Sequence, residues 1–519
     1  MRKTLSLIII GLLCLSIFSM LALYLGQAGS SEPPATEWSQ TYGGASHDAG
    51  YSVVKTSDGG YTIAGCTESF GAGGSDCWLV KTDWTGNMQW NKTYGGALNE
   101  GTQSMIQTSD GGYTIAGHTN SFGAGGRDFW LVKTDTYGNM EWNKTYGGTS
   151  DDMCTFQYCL VQTSDGGYAI GGWTKSFGAG SSDFWLIKTD AYGNMQWNQT
   201  YGDTGIEYAY SLVQTSDGGY AIAGWTNSFG AGAHDMWLVK TDADGNMEWN
   251  KTYGGTNWDE AYSVIQTSDG GYAIAGYTRS LGVGRWDFWL VKTDSTGIEE
   301  WNQTYGDVYD DYGHCVQQTG DGGYVIGGST QVSSVGGSFD FWLIKTDAAG
   351  NAQWNQTFGG TGRDALQSMV QTGDGGYALA GMHGGPTDAE AGDYDFWLIK
   401  LAPEKILATV DIDPDTLNLK SNGQWITAYV TLPEDYSVED IDVTTVKLMH
   451  NDDVVEAADW GEVQDGVLMV KFDRATLRDY LGVVDVDDGD KFCDITLTVT
   501  GDVAGILFEG CDTITVKSK

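Results

Sequence analysis

Proline and basic side chains are scarce in this 519-residue chain. It has 6 prolines, and its 27 lysines and arginines face 68 aspartates and glutamates, which gives a formal net charge of −41 at pH 7. Such an acidic chain repels nucleic acids and anionic membrane surfaces, so neither is expected as a partner. Bound cations are compatible with this charge, and Ca²⁺ is the one considered below.

Clusters of catalytic residues are also missing. The 6 histidines are neither repeated nor grouped at the spacing of metal-hydrolase ligands. No two of the 8 cysteines are adjacent, so a quinone-cofactor enzyme has no support. No spacing singles out a carboxylate pair for glycoside hydrolysis. The sequence therefore favours a protein that is not an enzyme, and a carbohydrate-active hydrolase that uses channel carboxylates stays as the alternative.

Glycine and aromatic residues are abundant instead. There are 76 glycines, and aromatics make up 13% of the chain. Glycine shows no three-residue period, which excludes a collagen-like chain. Glycines and aromatics at regular spacing are typical of short strands joined by tight turns.

The N-terminus has the pattern of an export signal. Arg2 and Lys3 precede a mostly apolar run from Leu5 to Leu25, and Gly26-Gln27-Ala28 resembles a small-residue cleavage site. The run is long for a signal peptide and barely long enough for a spanning helix. Residues 1–28 are therefore predicted to be a signal peptide or a membrane anchor, followed by a linker at 29–35. Either reading places the body of the protein outside the cytoplasm.

Internal repeats dominate residues 36–402. Seven Trp-Tyr-Gly or Trp-Phe-Gly marks, as in "WNKTYGG", follow one another at intervals of 52, 52, 55, 52, 52 and 53 residues. The marks begin at Trp38, Trp90, Trp142, Trp197, Trp249, Trp301 and Trp354. Between them recur an apolar stretch that enters "TSDGG", a "YAIAG" block and an "FWLVKTD" block. Each repeat thus predicts four strands, A ("SVIQT"), B ("YAIAG"), C ("FWLVKTD") and D ("EWNKTYG"), with an Asp-Gly-Gly hairpin between A and B.

The strand count predicts a closed ring. Strand C is apolar on both faces, as expected for a sheet buried on two sides, and repeated four-stranded antiparallel sheets of this kind pack radially in a β-propeller. The chain has seven strands of types A, B and C but only six D strands that follow a C strand. The missing D strand is "TEWSQTYGG" at Thr36–Gly44. We therefore predict an all-β fold with a seven-bladed β-propeller at 36–402, closed by its N-terminal strand.

The repeat resembles the extracellular β-propeller repeat family of bacteria and archaea, and the quinoprotein-type tryptophan-docking repeat. The matching residues are Asp83, Gly86 and Trp90, and their counterparts in later repeats, although the gap from Asp to Gly is one residue shorter here. The resemblance implies the architecture and leaves the activity open, because propellers host many functions.

Residues 403–519 have a different composition and are predicted to form a β-sandwich. They are similar to sandwich modules at the ends of archaeal secreted proteins, which implies attachment or display. Two acidic stretches have loosely Ca²⁺-like spacing but no EF-hand glutamate, and acidic surface turns are the alternative. Their candidate ligands are Asp411, Asp413, Asp415, Asp485 and Asp487.

Two sets of acids recur in the repeats. Six lie four residues before the Ser or Cys of strand A, on the face that carries the D–A and B–C loops, and could form a ring of cation ligands. This set is Asp48, Glu100, Glu207, Asp259, Asp311 and Asp364. In the third repeat Thr155 has this offset, with Asp151 and Asp152 nearby. The alternative is that each acid accepts a hydrogen bond from its own loop. An acid before every strand C is assigned a structural role, because a catalytic residue is usually needed once.

The remaining candidates concern modification and binding. Cys66 with Cys77, Cys154 with Cys159, and Cys493 with Cys511 are candidate disulfides in an oxidising compartment, against free buried thiols. Six strand-D sequons could carry glycans, or could instead use Asn and Thr for strand-edge hydrogen bonds. The sequons are Asn91, Asn143, Asn198, Asn250, Asn302 and Asn355.

Taken together, these patterns favour an exported, cell-surface or secreted protein that binds a glycan or protein partner through the D–A and B–C loop face. Trp258 and Trp286 are the aromatic candidates for ligand contact. A structural glycoprotein of the envelope or matrix is a further alternative, for which glycans at the rim and acidity would suffice.

Overall fold

The computed structural model describes residues 33–332, 338–360, 362–385, 394–420, 423–433, 436–451, 453–458, 460–481, 492–503 and 506–517. The predicted signal or anchor lies outside them. Strands dominate the described residues, which also contain the α-helix Arg474–Leu481 and the 3₁₀ turn Val438–Asp440. Within this part of the chain, no helix has the length and apolar character needed to cross a membrane. One compact unit spans Ala35–Ala402, and a second contains Pro403–Lys519.

Seven antiparallel sheets make up the described part of the first unit, and they resemble propeller blades. In the order A, B, C, D, sheet 1 is Asp48–Lys55, Tyr61–Thr67, Asp76–Thr82, Met88–Tyr94 and sheet 2 is Glu100–Gln107, Tyr113–Thr119, Asp128–Thr134, Met140–Tyr146. Sheet 3 is Asp152–Met153 with Leu160–Gln162, then Tyr168–Thr174, Asp183–Thr189, Met195–Tyr201, and sheet 4 is Glu207–Gln214, Tyr220–Thr226, Asp235–Thr241, Met247–Tyr253. Sheet 5 is Asp259–Gln266, Tyr272–Thr278, Asp287–Thr293, Glu299–Tyr305, and sheet 6 is Asp311–Gln318, Tyr324–Gln331, Phe339–Thr346, Ala352–Phe358. Sheet 7 is Ala365–Gln371, Tyr377–Gly384, Tyr394–Leu401 and, as its D strand, Thr36–Tyr42.

The N-terminal strand completes the last sheet, as its sequence predicts. Thr36–Tyr42 pairs antiparallel with Tyr394–Leu401, with Tyr42 opposite Phe396. Each sheet packs on the next along the chain, and the seventh packs on the first. Because A strands of neighbouring sheets touch one another whereas D strands are largely exposed, strand A is innermost and strand D forms the rim.

Tryptophans of strand D join consecutive sheets. Gly245 lies in the C–D turn of sheet 4, and its φ is +79°. A Cβ atom added to it would lie 2.6 Å from Cζ3 of Trp197 in strand D of sheet 3. Tyr201 of the same strand as Trp197 donates its hydroxyl to the Gly245 carbonyl at 2.7 Å. Five more pairs repeat this contact: Trp38 with Gly86, Trp90 with Gly138, Trp142 with Gly193, Trp249 with Gly297 and Trp301 with Gly350. The Asp-Gly-Trp pattern of the sequence thus places a ring against a turn that has no room for a side chain.

A buried lysine in every strand C anchors the A–B turn. Lys240 is 4% exposed, and its Nζ lies 2.8 Å from Oδ2 of Asp217 in that turn. The equivalent pairs are Lys81–Asp58, Lys133–Asp110, Lys188–Asp165, Lys292–Asp269, Lys345–Asp321 and Lys400–Asp374. These pairs lie at the end of each sheet opposite the D–A and B–C loops.

The second unit contains two sheets around one hydrophobic core. The larger contains Lys405–Leu407, Thr416–Asn418, Ile441–His450, Asp453–Ala457, Phe492–Val503 and Ile506–Lys517. The smaller contains Thr409–Asp413, Trp425–Thr431, Trp460–Gln464 and Val467–Asp473. Buried and less buried residues alternate along strands such as Trp425–Thr431, so each sheet turns one face to the shared core.

Candidate ligand-binding face

The first set of acids supports the loops. Asp48 is fully buried, and its Oδ2 accepts hydrogen bonds from Gly44 N at 2.8 Å and from Ser69 Oγ at 2.7 Å. Glu100, Glu207, Asp259, Asp311 and Asp364 likewise accept from the backbone amide four residues earlier. In sheet 3 this position belongs to Asp152, which accepts from Gly148 N, and not to Thr155. Of the two roles considered from the sequence, cation binding and acceptance of hydrogen bonds from the loop, these bonds show the second.

The second set has a similar task before strand C. Asp76 is 1% exposed and accepts from Ala72 N at 2.7 Å and Gly73 N at 3.1 Å. Four further members accept from loop amides in the same way: Asp128, Asp183, Asp235 and Asp287. Asp340 and Asp395 complete the set. Burial raises the pKa of several of these carboxyls, Asp235 and Asp287 among them. Among the described residues, no three His, Cys, Asp or Glu side chains are grouped as a metal site would require.

A disulfide loop in sheet 3 crosses the centre of the sheets. Cys154 and Cys159 are bonded, as predicted, and the loop interrupts strand A between Met153 and Leu160. Its Tyr158 has a φ of +67°, and the Tyr158 hydroxyl accepts from Met369 N of sheet 7 at 3.3 Å. The Tyr158 carbonyl accepts from Leu212 N of sheet 4 at 2.8 Å. The three extra residues of the third repeat therefore bring one loop against strands on both sides of the centre.

This loop places Phe156 in an aromatic cluster on the D–A and B–C face. The Phe156 ring centroid lies 4.2 Å from that of Tyr210 and 4.7 Å from that of Tyr262. Tyr277 continues the cluster at 5.2 Å from Tyr262, and Tyr312 follows at 5.2 Å from Tyr277. Sheets 3 to 6 thus contribute aromatics to one continuous surface.

A cavity of about 200 Å³ opens in this surface. Its walls are Phe156, Tyr262, Tyr277, Tyr312, His314, Ser329, Phe339, Arg363, Ala365, Gln367 and Met382. His314 Nδ1 donates to the Leu366 carbonyl at 2.5 Å, and burial lowers the pKa of this histidine, so it is neutral at pH 7. The cavity combines aromatic walls with a few polar groups, which is the usual composition of a ligand site.

The positions that build the cavity are those at which the repeats differ. The sixth residue of strand B is Cys66, His118, Trp173, Trp225, Tyr277, Ser329 or Met382, whereas the strands around it keep nearly the same sequence. The residue before the strand-C acid varies as widely, and includes Trp286 and Phe339. Comparing repeats position by position would have revealed Tyr312, Phe339 and Arg363, which the search for single unusual residues missed.

Trp258 and Trp286 lie beside the cavity and are not among its lining residues. Trp258 is 40% exposed and stacks on His234 at 4.1 Å between centroids. His234 also stacks on Trp225 at 3.7 Å, and its Nδ1 is 2.8 Å from Oε1 of Glu260. The other oxygen of Glu260 accepts from the Tyr277 hydroxyl at 2.7 Å. Glu260 and His234 therefore hold the Tyr277 hydroxyl in place.

A second cavity of about 500 Å³ lies between sheets 7 and 1, and is lined by Ser46 and His383 among others. Nδ1 of His383 is 2.6 Å from Oδ1 of the fully buried Asp364. His383 occupies the seventh position of strand B. At this position in sheets 2 to 5, a threonine donates to the corresponding acid of its own sheet: Thr119, Thr174, Thr226 and Thr278. Its contact with Asp364 therefore repeats a loop interaction found in other sheets.

The other two predicted disulfides are absent. Cys66 and Cys77 stand opposite each other but are free thiols, and Cys66 Sγ donates to the Tyr51 hydroxyl at 3.9 Å. Burial raises the pKa of the Cys77 thiol to about 12. The pairing of Cys493 with Cys511 is wrong because they face Val516 and Thr498, five positions apart, or about 17 Å along the strand.

The sequon asparagines take part in the sheets. Asn250 Oδ1 accepts from Trp237 Nε1 at 3.1 Å, and its Nδ2 donates to Met247 Sδ at 3.3 Å. The same indole bond reaches Asn91, Asn143, Asn198, Asn302 and Asn355. In sheet 7, Ser39 replaces the asparagine and accepts from Trp397 at 2.7 Å. The strand-edge role therefore exists, and glycan attachment stays a prediction.

The described acids of the second unit form no group of three that could hold a metal ion. Asp411, Asp413 and Asp415 are exposed, and Asp411 and Asp413 lie on strand Thr409–Asp413. Asp485 and Asp487 lie outside the described residues. A Ca²⁺ site at these positions stays a prediction.

No protein-family model matches the chain. Regulatory protein FlaEY of Caulobacter vibrioides is 27% identical over 227 residues, which are 38% of this chain and 23% of that protein. The chain thus spans about a quarter of the length of this relative. Among solved structures, it is similar to the Neurospora crassa Pan2 WD40 domain (TM-score 0.42, 11% identity, 70% of this chain and 90% of that one). It is also similar to YCF48 bound to D1 peptide (TM-score 0.37, 9% identity, 72% of this chain and 100% of that one).

Proposed function

We propose that this chain is an exported, non-catalytic glycan-binding protein, with a seven-bladed β-propeller as its binding unit and a β-sandwich as its second domain. The aromatic cavity on the D–A and B–C face carries the proposal. Sugar rings present apolar C–H faces and hydroxyl groups, so they suit a cavity in which aromatic faces alternate with polar atoms.

The size of the cavity indicates how much of a glycan it takes. At about 200 Å³ it is smaller than the usual sites for drug-sized ligands. One sugar ring at the end of a chain fits this description better than a long oligosaccharide. The half-buried rings of Tyr312 and Phe339, 5.7 Å apart between centroids, provide the stacking surface.

Export is supported by the sequence pattern of residues 1–28 and by the disulfide between Cys154 and Cys159, since structural disulfides persist in oxidising compartments. The same disulfide holds Phe156 at the cavity wall. The binding site therefore depends on the environment that export would provide.

The test is retention of the full-length protein on a panel of immobilised neutral and acidic glycans, with new reducing ends assayed in the same samples. We expect retention without cleavage. Phe339→Ala and Tyr312→Ala should each weaken retention at least about tenfold. Tyr192→Ala is the matched control, because Tyr192 is 73% exposed in a C–D turn on the opposite face.

Three results would contradict the proposal. New reducing ends would indicate the hydrolase alternative. Retention that Tyr192→Ala weakens as much as Phe339→Ala would place binding elsewhere. If no glycan is retained, the proposal fails and a protein partner becomes the better account of this face.

A further inference from the structure

One arginine lines the cavity, and two more lie near its wall, in a strongly acidic protein. The first unit has four arginines, Arg127, Arg279, Arg285 and Arg363, and the last three act on the charge of Tyr312 in the cavity wall. Arg363 lines the cavity, and its guanidinium carbon is 5.2 Å from the Phe339 ring centroid. The guanidinium carbon of Arg279 is 4.9 Å from the ring centroid of Trp286, which adjoins Arg285 in sequence. Both distances are within the range of cation–π contacts.

The aromatic rings form a row between these two guanidinium groups. The Tyr312 centroid lies 6.2 Å from that of Trp286 on one side and 5.7 Å from that of Phe339 on the other. The row therefore has a positive charge at each end and an aromatic floor between them.

The three arginines have no acidic partner among the described residues. Every strand-C lysine forms an ion pair, for example Lys240 with Asp217, whereas the ion pairs of the described residues include none from Arg279, Arg285 or Arg363. Within the described residues, no acid competes with a ligand for their guanidinium groups. Arginines without an ion pair to any described acid are unexpected in a chain with 68 acids and 27 bases.

The positive charge of the three arginines acts on Tyr312 in the cavity wall. Burial and the neighbouring Asp310 raise the pKa of Tyr312, and Arg363, Arg285 and Arg279 oppose this rise, leaving the pKa at about 12. Glu260, an acid of the aromatic cluster, is 5% exposed and already accepts from Tyr277 at 2.7 Å and contacts His234 at 2.8 Å. Asp310 partly offsets the three arginines at Tyr312.

We propose that the cavity recognises the carboxylate of an acidic sugar at the end of a glycan, an inference that rests on the proposed glycan binding. Arginine binds carboxylates through two parallel hydrogen bonds, and the ring of the sugar lies on the aromatic floor. The net charge of −41 repels long polyanions, so a single terminal carboxylate suits this protein better than a run of them.

The experiment compares immobilised oligosaccharides that end in a uronic acid or a sialic acid with the same oligosaccharides after reduction of the carboxyl group to an alcohol. The full-length protein should be retained at least about tenfold more strongly by the carboxylate forms. Arg363→Gln should remove this preference. Arg127→Gln makes the same change in charge on the same face but away from the cavity, and should leave retention unchanged.

The outcomes separate this inference from the proposed function. Equal retention of carboxylate and reduced forms would overturn the inference and leave glycan binding standing. Equal losses in Arg363→Gln and Arg127→Gln would mean that only overall charge matters, which also overturns it. Failure of every neutral and acidic glycan to retain the protein would overturn both. Far-ultraviolet circular dichroism and Tm of each variant check that it is folded.

Discussion

At the scale of single residues, the strand-C lysines illustrate how an acidic protein uses its few bases. Lys240 is 4% exposed and contacts both Asp217 and Glu248. Lys345 is 1% exposed, and its one ion pair among the described residues is with Asp321, which is itself only 18% exposed. A buried charge without a partner is costly, so each lysine depends on its turn aspartate.

Asp321→Asn should destabilise the protein more than Asp217→Asn. The first change leaves Lys345 buried without a carboxylate, at a cost of about 3 kcal/mol. The second leaves Lys240 paired with Glu248, and Asp217 is 57% exposed, so its cost is about 0.5–1 kcal/mol. Urea denaturation at pH 7 measures both. Equal costs would contradict the importance of burial in these pairs.

Stability should fall in acid through the same turns. Burial alone would raise the pKa of Asp217, but hydrogen bonds from Lys240, Thr215 and Gly219, with the charge of Lys240, lower it to about 2. Asp110, Asp165, Asp269 and Asp374 have the same lowered value. A lowered folded-state pKa stabilises the folded state above the unfolded value of about 3.9, and this stabilisation is lost as pH falls towards 2.

Melting curves between pH 2 and pH 6 test this. Tm should decrease steeply below about pH 4, and Asp217→Asn should differ from the wild type at pH 6 and approach it near pH 2. A constant difference across the range would contradict the assigned pKa shift.

At the scale of elements, the D strand and the next C–D turn act as one unit. Gly245 has a φ of +79° and lies against the Trp197 ring. Gly218, in an A–B turn, has a φ of +88°, and a Cβ atom added to it would have its nearest neighbour, Ala243 Cβ, at 4.0 Å. The two glycines therefore share a backbone conformation and differ in packing.

Gly245→Ala should cost about 2 kcal/mol more than Gly218→Ala. Both variants incur the strain of a left-handed alanine, about 1–2 kcal/mol, and the difference reports the overpacking against Trp197. Urea denaturation of the two variants, with tryptophan fluorescence as the signal, gives the comparison. Similar costs would mean that the Trp197 contact contributes little.

The disulfide loop is the element that completes the cavity. Replacing Cys154 and Cys159 together with serine should lower the free energy of unfolding by about 2–3 kcal/mol and weaken glycan retention, because Phe156 is no longer held against Tyr210 and Tyr262. Cys511→Ser is the control, since this cysteine is exposed and free. Unchanged retention in the double variant would show that Phe156 is not needed at the wall.

At the scale of the whole molecule, sheet 7 joins the two ends of the repeat region without a covalent bond, because its D strand comes from the start of that region. Residues 36–42 contribute its D strand, so their removal exposes the edge of Tyr394–Leu401. Exposed edges pair with other chains.

Deleting residues 1–44 should lower Tm and promote self-association. Adding a synthetic peptide TEWSQTYGG should raise Tm again and suppress the self-association. Light scattering and melting curves measure the effect. The same peptide with Trp38 and Tyr42 replaced by serine is the control and should fail, because Trp38 contacts Gly86 and the Tyr42 hydroxyl donates to its carbonyl. A deletion without effect would contradict the role of the closing strand.

Much of this architecture was predictable because its information is local. The hairpin signal of Asp-Gly-Gly and the two apolar faces of strand C lie within one repeat, whereas the closing strand at Thr36 follows from counting the strand types over all repeats. The register of distant cysteines was not predictable in this way. Cys493 and Cys511 lie on two paired strands, but only the pairing itself shows that they are five positions out of step.

The sequence by itself determined the repeated four-stranded sheets, because periodicity and turn chemistry act over a few residues. It also determined the strand that closes the last sheet, because the count of strand types over all repeats leaves one D strand at the start. Only the tertiary structure decided the cavity, since Phe156, Tyr312 and Arg363 come from three different sheets. Phe156 reaches this wall because a three-residue insertion in one repeat carries its loop across the centre, where Tyr158 contacts Ser368, 210 residues away along the chain. Distances of that kind are set by how the sheets pack, and no local pattern encodes them.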